Sequence, residues 1–204
     1  RTAMIELGIL ADDLTGGMMV ASLLEREGVD CPLVTSIDEL ESLANSTATA
    51  VVVARKIRLI PAKDARKEAI KTVQALKSIG CKRFYYKYCA TFDSTSQGNI
   101  GPIAEAMMEE LDASRTIFCP AFPEYTVTIF QGRMFLGNTP LGESFKKNDP
   151  VTPMTSSNLV EVLASQTSQK VGLISHSLLL KGTKNIETHL NTLESTPFFI
   201  TDAA

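Results

Sequence analysis

Tryptophan is absent from this 204-residue chain, and histidine occurs only at His176 and His189. No apolar run approaches the roughly 20 residues that cross a bilayer, so a membrane partner is excluded. The start, Arg1 to Ile5, is not a signal peptide, and a soluble cytoplasmic protein is expected. An excess of one charge is also lacking: 20 Lys plus Arg stand against 23 Asp plus Glu, a formal net charge of −3. Nothing global would condense on a nucleic-acid backbone, so nucleic acid is excluded and any anion must be held locally. The four cysteines, Cys31, Cys81, Cys89 and Cys119, have no CxxC spacing and no histidine nearby. That excludes a zinc site or redox pair and leaves free thiols, with no metal site expected.

What is present is a hydrophobic share of 44%, enough for one globular unit over residues 1–204. Short apolar runs alternate with helix-period segments. The runs are Ile5 to Ala11, Pro32 to Thr35, Ala50 to Ala54, Phe84 to Lys87, Thr116 to Cys119, Val171 to Ser175 and Phe198 to Thr201. Without polar alternation they read as parallel strands covered on both faces, giving an α/β fold with a doubly wound, mostly parallel sheet. Helices are expected over Gly17 to Glu27, Pro61 to Ile79, Asn99 to Leu111, Ser157 to Gln166 and Thr183 to Leu193. Gly28 and Gly80 stand as helix stops. Six of the methionines, Met18, Met19, Met107, Met108, Met134 and Met154, are expected in the core, His189 in solvent and His176 in a structural place. The stretch from Pro120 to Thr155 is proline-rich without helical period, and Thr126 to Leu136 reads as a hairpin turning near Gly132, a long loop insertion of the kind that binds ligands. The abrupt stop after Phe198 to Thr201 suggests a piece of something longer.

Ligands of open parallel sheets bind outside the carboxyl ends of the strands. After the first run stand Asp12, Asp13, Leu14, Thr15, Gly16 and Gly17, and two adjacent aspartates exceed what helix capping needs. After the third, Lys56 and Arg58 flank Ile57, two cations on one side of an extended segment. After the fourth come Lys87, Thr91, Asp93, Ser94, Thr95, Gly98, Asn99 and Gly101, hydroxyls and glycines running into a helix, a natural seat for an oxyanion. A response-regulator acid pocket would need an aspartate after the third strand, where Arg55, Lys56 and Ile57 stand. Neither GxxxxGK[ST] nor GxGxxG occurs, so no nucleotide loop is present.

Five blocks, in order, resemble the four-carbon acid sugar kinase family. They are Ala11-Asp12-Asp13-Leu14-Thr15-Gly16; Tyr86 to Thr95 with Gly98 to Pro102; Pro120-Ala121-Phe122-Pro123; Leu141-Gly142-Glu143-Ser144; and Pro150-Val151-Thr152-Pro153-Met154. The stretch from Lys87 to Thr95 is most similar to the 3-oxo-tetronate branch. The resemblance implies the amino-terminal, sugar-acid-binding half of a two-domain enzyme. ATP and Mg2+ would be bound mainly by a carboxyl-terminal domain that is the chain's partner, and self-association stays open. The implied reaction is ATP-dependent phosphorylation of the terminal hydroxyl of a four-carbon sugar acid. Such transfer needs a carboxylate at the hydroxyl and cations around the charge. Asp13 or Asp12 is then the base, with Asp93 as competitor. Lys56, Arg58 and Lys87 would hold the substrate carboxylate, and Ser94, Thr95 and Asn99, with the turn ending at Gly101, its hydroxyls. Asp13, Arg58 and Asn99 are expected to share one crevice.

The family usually has an aspartate at Met19 and Asn-Gly-Arg at Tyr125-Thr126-Val127, with Arg133 as a substitute for that arginine. These departures motivate an alternative, a non-catalytic sugar-acid-binding module. A third reading is a stand-alone hydrolase using the two aspartates with a metal.

Overall fold

The computed structural model describes residues 5–43 and 45–204. Residues 1–4, most of the segment read as lacking a leader, and Ala44 lie outside it. The chain divides into two compact units, residues 1–89 with 102–112, and residues 90–101 with 113–204.

The first unit is built on four parallel strands, β1 (Leu7–Ala11), β2 (Leu33–Val34), β3 (Ala50–Ala54) and β4 (Arg83–Lys87), in the order β2-β3-β1-β4. Helix α1 (Leu14–Arg26) and helix α2 (Ala62–Ser78) cover opposite faces. Ile9, Ala11 and Val52 point to the side where Val20, Ala21 and Leu24 of α1 pack. Leu10 meets Ala65, Ala69 and Val73 of α2, with Ile103, Ala106 and Met107 of helix α3 (Ile100–Leu111) beside them. Alternation along β1 produces this division, because consecutive side chains leave a strand on opposite faces. A Cβ on Gly17 would stand 3.0 Å from the Ala54 Cβ and 3.3 Å from that of Ala11, so a glycine there lets α1 lie close on the sheet. Arg66 of α2 ties to Glu105 and Glu109 of α3 at 3.0 and 2.8 Å.

The second unit holds a parallel sheet of β5 (Thr116–Phe118), β9 (Val171–Ile174) and β10 (Phe198–Thr201), in the order β5-β10-β9. An antiparallel sheet runs through β6 (Val127–Phe130), β7 (Arg133–Leu136) and β8 (Thr139–Pro140). Helices α4 (Leu159–Ala164), α5 (His176–Leu179) and α6 (Thr183–Thr192) complete it. The hairpin turns at Gln131 and Gly132, both with positive φ, 52° and 74°, the pair of left-handed residues that suits a two-residue turn between twisted strands. Asp202 fastens that turn, accepting from the backbone N–H groups of Gln131, Gly132 and His176 at 2.7, 2.8 and 2.7 Å.

The α/β class, the parallel pairing and the hairpin agree with expectation, while the parallel strands are divided between two sheets of four and three. Two smaller expectations fail. Met18 is 54% exposed, because residue 18 of α1 turns away from the face that carries Val20 and Leu24. His189 is not solvated: it is half-buried, and its Nε2 is buried without a hydrogen-bond partner among the described residues. His176 packs its ring against Phe130, a structural place. Among the described residues no helix is long and apolar enough to cross a membrane.

Candidate functional site

Register is what assembles the carboxyl end of the first unit. Ala11 stands opposite both Ala54 and Lys87, so β1, β3 and β4 end level and their loops leave together. Backbone bonds continue the alignment past the strands: Asp12 N–H donates to Lys87, Arg55 N–H to Ala11 and Ile57 N–H to Asp12. The connection after β1 leads through α1 toward β2, and the one after β3 leads through α2 to β4 on the other side of β1. A crevice at such a reversal is where open α/β sheets place ligands.

In this crevice Arg58 bridges both aspartates. Its Nε and Nη2 donate to Asp12 at 3.1 and 2.7 Å, and its Nη1 lies 2.9 Å from Asp13 Oδ2. Asp12 is buried, with a side chain 2% exposed, whereas that of Asp13 is 31% exposed. Burial pushes the Asp12 carboxyl above its ordinary value even though the Arg58 hydrogen bonds pull the other way. Burial works most strongly against the Arg58 charge, but the Asp12 hydrogen bonds together with the negative charges of Asp12 and Asp13 outweigh it and hold the guanidinium protonated. Asp13 is in addition the N-cap of α1, its Oδ1 accepting from Gly16 N–H at 2.7 Å. A Cβ on Gly16 would come within 2.9 Å of that oxygen and 3.5 Å of Lys87 Nζ. Lys87 donates to the Tyr88 carbonyl, and burial lowers its pKa against the pull of Asp12. The Tyr86 hydroxyl is buried there without a hydrogen-bond partner among the described residues, and burial raises its pKa well above the ordinary value.

Lys56 has a different environment. It lines a cleft of about 610 Å3 with Leu14, Thr35, Ser36, Arg55 and Glu68. The cleft lining does not include Arg58, so the two cations expected on one side have separate surroundings.

The remaining candidates belong to the second unit. Asp93 accepts from Thr91 Oγ1 at 2.7 Å and from Lys146 Nζ at 2.5 Å. Phe92 before it is fully buried with φ 55°, a left-handed conformation unusual for an aromatic residue. Ser94 and Asn99 are buried, Thr95 half-buried and Gly101 buried. Gln166 organises this loop: its Nε2 donates to Ser94 Oγ and the Thr95 carbonyl at 2.5 and 2.8 Å, and its Oε1 accepts from Gly101 N–H at 3.0 Å. A Cβ on Gly98 would fall 1.7 Å from Ser94 Oγ, so glycine there makes room for the hydroxyl. Two of the amide and hydroxyl groups read as an oxyanion seat, Gly101 N–H and Ser94 Oγ, are thus engaged by Gln166. Gln166 and Lys146 carried no signal in sequence, since their partners lie 53 to 72 positions away. Arg133 is exposed on β7.

A model of the family described as "Sugar-binding N-terminal domain" matches residues 7–204. A 3-oxo-tetronate kinase of Pseudomonas savastanoi pv. phaseolicola is 41% identical over 189 residues, 93% of this chain but 44% of that protein. The chain thus spans less than half the length of this relative. A Haemophilus influenzae structure of the DUF1537 family superposes with a TM-score of 0.88 at 36% identity, over 96% of this chain and 48% of that one. A DUF1537 structure from Bordetella bronchiseptica, a domain-swapped dimer with bound citrate, superposes with a TM-score of 0.79 at 25% identity, over 98% of this chain and 49% of that one.

Proposed function

Because the chain belongs to the family of sugar-binding N-terminal domains, we infer that it supplies the acid-binding half of an ATP-dependent kinase acting on a four-carbon sugar acid of the 3-oxo-tetronate type. Relatives named 3-oxo-tetronate kinase support the substrate, and their greater length supports an ATP-holding domain elsewhere in the protein. The citrate held by the Bordetella relative supports an organic acid as ligand, and its dimer supports self-association.

The observation that carries the reading is the position of Asp13. Of the two adjacent aspartates it is the one whose carboxylate reaches solvent, and it is fixed from both sides by Gly16 N–H and Arg58. Each of its oxygens retains a second lone pair. In the proposed reaction that carboxylate orients the terminal hydroxyl and accepts its proton as the phosphoryl group arrives. Asp12 does not touch substrate; it holds Arg58, which in turn holds Asp13. Lys87 adds positive charge beside the pair. ATP would bring magnesium, held largely by its phosphates.

The test is an ADP-coupled assay of the full-length protein with ATP, magnesium and 3-oxo-tetronate, beside the isolated chain. The full-length protein should transfer phosphate and the isolated chain should neither transfer it nor hydrolyse ATP. Acid binding without transfer by the full-length protein would favour the non-catalytic module instead.

A further inference from the structure

Four cations cluster at the carboxyl end of the first sheet, Arg55, Lys56, Arg58 and Lys87, and three of them are already engaged. Arg55 pairs with Glu68, Arg58 with Asp12 and Asp13, and the Lys87 ammonium with the Tyr88 carbonyl. Lys56 is exposed and has no ion pair or side-chain hydrogen bond among the described residues. Arg55 and Arg58 are balanced by carboxylates that an organic acid would have to displace, and the Lys87 ammonium, bonded to a neutral carbonyl, is half-buried, whereas Lys56 meets solvent.

We propose that the Lys56 cleft is the carboxylate subsite of the sugar acid, a refinement that rests on the acid-binding reading above. Its volume of about 610 Å3 lies within the range of small-molecule sites. Ala54, Ile57 and Leu14 form an apolar wall. Ser36 Oγ accepts from Asp38 N–H at 3.2 Å, which leaves its own proton to be donated into the cleft. Glu68 also lines the cleft, but its negative charge is balanced there by Arg55 and Lys71, which both pair with it. Lys56 and Ser36 thus supply two donors for one carboxylate. Leu14 joins the cleft to the Asp12–Asp13 turn, since it follows Asp13 directly and lines the cleft wall. The acid end of the substrate and its reacting hydroxyl are then bound by different groups, and Arg58 is a positioning residue with no direct contact to the carboxylate.

The experiment is a calorimetric titration of erythronate, threonate and inorganic phosphate into the protein and its Lys56→Met, Lys56→Arg and Lys82→Met variants, with lysine acylation read by mass spectrometry. Loss of a charge-assisted bond should weaken acid binding about tenfold or more in Lys56→Met. Lys56→Arg should recover most of that loss, and Lys82→Met, an exposed lysine ahead of β4, should bind as the parent does. The acids should shield Lys56 from acylation more than phosphate does. Equal affinity in Lys56→Met, or stronger shielding by phosphate than by either acid, overturns the subsite while leaving the acid-binding reading intact. Failure of the parent protein to bind any four-carbon acid removes that reading and the subsite with it.

Discussion

Arg58 grips Asp12 through two nitrogens, at 3.1 and 2.7 Å, across 46 positions of sequence. Because the Asp12 side chain is almost wholly buried, the pair behaves as an internal one: removing one partner strands a charge that cannot reach water. Arg58→Leu should destabilise the first unit by about 3–5 kcal/mol. Asp12→Asn combined with Arg58→Leu should recover part of that. Urea unfolding of the single and double variants measures both.

Asp13→Asn separates chemistry from folding. Asparagine caps helices about as well as aspartate, so the melting temperature should hardly move. Turnover in the full-length protein should fall far more than substrate affinity. Unchanged turnover in the coupled assay would remove Asp13 from the reaction.

Lys87 gives a pH signature of definite sign. Its folded value is depressed by burial, so between that value and the ordinary one near 10.4 the unfolded chain holds a proton that the folded chain has released. Stability therefore rises with pH through that window on account of this group. Lys87→Met should lack the increment, and the stability difference between parent and variant, followed by urea titration from pH 7 to 10.5, should grow in the parent's favour.

Cys31 and Cys81 carry the opposite sign. Burial pushes each thiol to about 11, so the folded chain keeps protons that the unfolded chain loses above its ordinary thiol value. Their contribution to stability falls as pH rises toward 11. At pH 8 neither should react with a thiol reagent on the timescale on which exposed Cys119 does, which a timed mass-spectrometric labelling course would show.

In the second unit, Gln166→Ala should cost about 1–3 kcal/mol, because Gly101 N–H and the buried Ser94 hydroxyl lose their partner together. Gly98→Ala should be at least as damaging, and Ser94→Ala should not fully rescue it. A methyl at position 98 would still lie 2.8 Å from Gln166 Nε2. Chemical denaturation of the three variants checks the order.

The turn after β1 was legible because an apolar run, two carboxylates and a helical period adjoin one another, so Asp12, Asp13 and Gly16 announce themselves locally. The helix faces were legible for the same reason: Ala65, Ala69, Val73 and Leu76 repeat at the helical period and are all fully buried. What Arg58 binds was not legible. An arginine after a strand has the same local pattern whether it meets a substrate or an aspartate 46 positions earlier. Gln166 illustrates the same limit, as does the division into two sheets, since a covered parallel strand has one pattern whichever sheet receives it. Tyr85 was misleading in another way: it alternates with Phe84 and Tyr86, which pack on the side of α2 and α3, and is 50% exposed on the opposite face.

The level ending of β1, β3 and β4 makes the cation pattern of residues 55–58 sensitive to phase. Deleting a single residue within β3 would move each side chain of this tetrad into its preceding neighbour's place. Ile57, now buried under α2, would trade places with a charged neighbour, and Asp12 would lose its guanidinium without any change at position 58 itself. Length variation is therefore far better tolerated after Arg58, where Leu59 is 67% exposed, than within β3 or residues 55–57.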